Sequence, residues 1–104
     1  MKTMNAAEVE RSAVAEDMPP VDAPVLTRTL WLAKAGRWEE AHDLCQEIPG
    51  SAGSWIHAHL HREEGDQGNA AYWYSRAGKQ VPPAKMTIED EWREIAAALL
   101  PEAT

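Results

Sequence analysis

The residues best suited to chemistry lie in the run His57-Ala58-His59-Leu60-His61. His57 and His61 are four apart and Glu64 follows three later, so a helix would project all three from one face at a spacing that a zinc ion can use. The zinc-protease helix motif is absent, because position 58 is Ala where that motif needs Glu. The competing reading is structural: His57 and His61 would fill inward helix positions and hydrogen-bond to neighbours such as Trp73 or Tyr74. We favour the structural role, because no third His or Cys lies close in sequence and His42 could join only through the fold. The leading expectation is therefore no metal and no cofactor, with His57, His61 and Glu64 as the alternative metal set.

The other reactive side chains offer less. Cys45 is the single cysteine, has no base beside it and sits on an apolar stripe, which fits an inert core thiol. The acidic runs Glu39-Glu40, Glu63-Glu64 and Glu89-Asp90-Glu91 are consecutive, so neighbours diverge by about 100° around a helix and cannot face each other as a catalytic pair. Phosphate-binding loops, nucleophile elbows and dinucleotide fingerprints are missing from the sequence. The expectation is a non-enzyme. A net charge of -7 removes the phosphate attraction that nucleic-acid binders use, which argues against nucleic acid and anionic membranes as partners. One cysteine, no signal-peptide core and no stretch approaching the roughly 20 apolar residues of a membrane span point to the cytoplasm.

The elements that must position these residues read as helices throughout. Residues 1–23 hold five acidic and two basic groups, few large apolar side chains and the breakers Pro19-Pro20. They read as a mobile acidic tail, in which a helix over Ala6–Ala15 would be fleeting because only Val9 and Val14 could dock it. Residues 24–104 read as a helical-repeat domain. Asp22 is placed to cap a helix through Leu26, Leu30 and Ala33 that stops at Gly36, and Trp38, Ala41, Leu44, Cys45 and Ile48 mark a second helix ended by Pro49-Gly50. Ser51 or Ser54 would cap a third, running to Gly65-Asp66. A fourth spans about Gly68 to Ala77, and Thr87-Ile88-Glu89-Asp90 opens a fifth through Trp92, Ile95, Leu99 and Leu100. No segment alternates with a two-residue period, so no sheet is expected.

The second and fourth helices resemble each other at an offset of 29: Gly36 matches Gly65, Ala41 matches Ala70, and Cys45 matches Tyr74. Helix, Gly65-Asp66, Ala70, Tyr74, Ala77 and a trailing Pro82 resemble a tetratricopeptide repeat, and Asn69-Ala70-Ala71-Tyr72-Trp73-Tyr74 is similar also to Sel-one-like repeats. That resemblance implies two antiparallel helix hairpins plus a C-terminal capping helix, an all-α fold, and a small interaction module that holds a protein or peptide partner. It places Trp55, His59 and Arg62 on the concave, partner-binding face, with Trp55 packed beneath the final helix as the competing reading. Homo-oligomerisation through the open solenoid edge is a third possibility.

Overall fold

The computed structural model describes residues 3–102; the outermost two residues of the expected tail and of the expected repeat domain lie outside that range. Asn5 opens helix α1, Ala6–Ala15, through a reciprocal capping box. Its Oδ1 accepts the Glu8 N–H at 2.9 Å and the Glu8 carboxylate accepts the Asn5 N–H at 3.0 Å, which satisfies two donors that a helix start leaves free. This helix is not the fleeting element expected of a mobile tail. Val9 is fully buried and Met4 and Ala13 nearly so, while the Ser12 hydroxyl accepts the indole N–H of Trp31 at 2.9 Å and donates to Glu16 at 2.6 Å. Glu10 lies between Lys34 at 3.2 Å and Arg93 at 2.8 Å, tying α1 to both α2 and the last helix. Val14, near the end of this helix, and Met18 and Val21, in the stretch that follows, are exposed.

Helix α2, Val25–Lys34, starts with Pro24 rather than Asp22 in the capping position and no side-chain cap. Thr29, buried on this helix, settles its hydroxyl by donating to the Val25 carbonyl at 2.8 Å. Helix α3, Trp38–Cys45, follows after three residues, and α4, Gly50–Glu63, is joined to α5, Gln67–Ala77, by another three. Connections this short bring consecutive helices side by side, and α2 packs on α3 as α4 does on α5. Gly36 and Gly65 take φ of +79° and +85° at those two turns, a left-handed conformation that costs a side-chain-bearing residue most. Ala41 and Ala70 are buried. Ser51 and Ser54 lie inside α4 rather than capping it, because the helix begins at Gly50.

Helix α6, Ile88–Leu99, is capped by Thr87, whose hydroxyl accepts the Asp90 N–H at 2.9 Å. It lies on α4 and reaches α2 and α1, burying Trp92 so that its indole N–H donates to the Leu30 carbonyl at 3.0 Å. The fold is all-α, with no strand among the described residues.

Candidate metal centre

The face of α4 that carries His57 and His61 is bordered by α3 on one side and α5 on the other. Trp38, at the start of α3, fastens that border by donating its indole N–H to the Leu60 carbonyl at 2.7 Å. One turn further along α3, His42 stacks on Trp38 with ring centroids 4.8 Å apart. His42 meets His57 at 4.6 Å and His61 at 5.3 Å, both edge-on, while His57 and His61 stack at 5.0 Å. On the α5 side His57 lies flat against Trp73 at 3.9 Å. Three imidazoles thus converge between two indoles. One ring nitrogen from each of His42, His57 and His61 lies within 4.8 Å of the others. A tetrahedral zinc with bonds near 2.1 Å holds its nitrogen ligands about 3.4 Å apart, so the rings close on an ion by shifts of about 1 Å.

Glu64 has a different place from the one expected. Its carboxylate accepts from His61 Nδ1 at 2.8 Å, which leaves Nε2 as the nitrogen open to another partner. The third imidazole beside His57 and His61 is that of His42, and Glu64 bonds to His61 Nδ1, the kind of contact that orients a metal-binding imidazole through its second nitrogen. His57 is 8% exposed, and burial, with His42 and His61 next to it, pushes its pKa down to about 4. It is neutral at pH 7, the form that ligates a metal. The expected hydrogen bond of His57 to Trp73 or Tyr74 is replaced by a stacking contact with Trp73.

His57 also forms part of the wall of a cleft of about 520 Å3 that continues toward the start of α4, between Ile48 on one flank and Trp73 and Arg76 on the other. Gly53 is part of its floor. A Cβ there would meet the Ile48 carbonyl oxygen at 2.0 Å, so a side chain is excluded by the loop before α4. Cys45 borders the cleft as well, but it is buried, donates to the His42 carbonyl at 3.1 Å, and has its thiol pKa pushed up to about 11 by burial and by Asp43. That thiol stays protonated, as an inert core cysteine should.

Trp55, His59 and Arg62 do not form an open binding face. Trp55 and His59 are buried at 6% and 3% exposure, and α6 covers this side of α4. His59 Nδ1–H donates to Glu91 Oε1 at 2.8 Å and Arg62 donates to the same oxygen at 3.2 Å. Tyr74 donates to the other carboxylate oxygen, and Arg62 also reaches the Met86 carbonyl. Lys79 sits over the Trp55 ring at 4.1 Å. The carboxylate that Arg62 meets is that of Glu91, on the chain's own α6.

No family model, curated protein or solved structure matches this chain.

Proposed function

We propose that the protein binds one divalent transition-metal ion of the zinc type through His42, His57 and His61. The observation that carries this reading is the convergence of three imidazoles from two helices, His42 on α3 and His57 and His61 on α4, so that each offers a nitrogen within 4.8 Å of the other two. Nitrogen donors suit zinc, copper, nickel and cobalt far better than magnesium or calcium. The Glu64 carboxylate behind His61 and the indole walls of Trp38 and Trp73 supply the outer shell that such sites use to orient ligands and limit solvent. Three ligands leave a coordination position open, the arrangement of a site that exchanges a further ligand rather than a closed structural knot.

The test is a titration of chelator-treated protein with zinc and with cobalt. One equivalent should bind, and zinc at a hundred times its dissociation constant should add about 2.7 kcal/mol to stability. His42→Ala should remove that stabilisation while leaving the helical spectrum intact. Binding that persists unchanged in a His42→Ala, His57→Ala, His61→Ala variant would overturn the assignment.

A role as a small protein-interaction module is a second proposal, supported by the resemblance of the Gly36 and Gly65 units to tetratricopeptide repeats. It would have to use a surface other than Trp55, His59 and Arg62, and the exposed apolar side chains of Val14, near the end of α1, and of Met18 and Val21, after it, offer one.

A further inference from the structure

The cleft beside the three histidines differs in charge from four others on the molecule. Four other clefts each carry at least one carboxylate: Glu40, Asp43 and Glu47 in one, Glu91 and Glu94 in the next, Glu63 and Glu89 in a third, and Glu102 in the last. The cleft at His57 has none, and its one charged side chain is Arg76. On a chain of net charge -7 that is a local reversal of sign. Arg76 is held in place rather than free, with its guanidinium 5.4 Å from the Trp73 ring and 5.7 Å from that of Tyr72, and it donates to the Tyr72 hydroxyl at 3.1 Å. Gly50 and Ser51 form the far end of the cleft, where the 14-residue helix α4 begins without any side-chain cap. Its first N–H groups and the positive end of its dipole are therefore available to an anion. At the other end stands His57, more than nine-tenths buried, with no protein hydrogen-bond partner among the described residues. Ile48 and Trp73 supply the apolar wall.

We propose that this cleft binds a small organic carboxylate, whose charged group is held by Arg76 and the first turn of α4 and whose other end reaches the open coordination position of an ion at His42, His57 and His61. The proposal rests on the metal reading above, because His57 belongs to both the histidine cluster and the cleft wall. A volume near 520 Å3 lies in the range of small-ligand sites. A single guanidinium balances a single negative charge, which favours a carboxylate over a doubly charged phosphate, and its planar fork matches the two carboxylate oxygens.

The experiment uses the full chain loaded with cobalt, with isonicotinate, whose ring nitrogen lies opposite its carboxylate, and inorganic phosphate as probes. Isonicotinate should change the visible cobalt bands. In the zinc-loaded protein it should shift the amide resonances of Ser51 and Ser54, which border the cleft. Arg76→Met should weaken isonicotinate binding about tenfold, the loss of one charge-assisted contact, with cobalt affinity unchanged. If cobalt binds but isonicotinate leaves its bands and those amides untouched, if Arg76→Met binds isonicotinate as tightly as the parent, or if phosphate binds more tightly than isonicotinate, the carboxylate site is refuted and the metal site stands. If cobalt does not bind, both fail together.

Discussion

At the residue scale, Glu64 and His42 separate what spacing can and cannot tell. The four-residue interval of His57 and His61 correctly put both on one face of α4, since that follows from helix geometry alone. The third member, His42, is separated from them by a turn and the loop through Pro49, so its approach depends on how α3 leans on α4. No local signal encodes that angle. Glu64 was grouped with the histidines for the same geometric reason, yet the face it shares with His61 lets it bond to Nδ1 instead of facing the cluster. Removing that contact gives a specific prediction. Glu64→Gln keeps the shape but supplies a weaker acceptor, so zinc affinity should fall roughly tenfold to a hundredfold with the stoichiometry still one. Competition against a zinc-sensitive dye reads this directly, and an unchanged affinity would show that Glu64 is only a surface partner of His61.

At the scale of the element, most helices were legible because their caps and stripes are local. Gly36, Gly65 and Gly78 end or join helices as expected, and Thr87 caps α6. Helix α1 was misjudged for a physical reason. Its own apolar content is small, and its docking relies on side chains far along the chain: Trp31, which offers an indole N–H to Ser12, and Lys34 and Arg93, which offer charges to Glu10. A polar residue on a short Ala-rich helix gives no sign that a tryptophan 19 residues away needs it. Ser12→Ala should leave the buried Trp31 N–H without its acceptor and destabilise the protein by about 1 to 3 kcal/mol. Denaturant melts measure the loss, and hydrogen exchange should show the amides of α1 protected to a similar degree as those of α2. Exchange of α1 at the rate of an unfolded segment, with no change in the melt of the variant, would return residues 6–15 to the status of a tail.

Across the whole molecule, α6 decides which surfaces remain available, and Glu91 decides how firmly α6 is held. The resemblance to a repeat implied that Trp55, His59 and Arg62 form a face ready for a partner, whereas α6 lies over them. The carboxylate arrives from Glu91, only 2% exposed, and it receives His59 and Arg62 from α4 and Tyr74 from α5. Burial alone would raise the pKa of Glu91, but the hydrogen bonds from His59 and Tyr74 and the charge nearby outweigh it and hold the carboxyl below its usual range. A carboxylate whose folded pKa lies below its unfolded value stabilises the fold fully above the unfolded value, near 4.3, and loses that contribution as pH falls through the folded one. Tyr74 is shifted the opposite way, chiefly by burial and then by its bond to Glu91, so its contribution holds at neutral pH and fades only in strong alkali. Glu91→Gln removes the charge and leaves Arg62 and His59 facing a neutral amide, which should cost about 3 kcal/mol at pH 7. Measured as the difference between parent and variant, the gap should stay constant from about pH 6 to 8 and narrow below pH 4, where the parent loses its carboxylate too. The difference isolates Glu91 from the other groups that titrate in acid, His57 among them. A gap that does not narrow in acid would mean that α6 is held by the apolar contacts of Trp92 and Ile95 rather than by this charge.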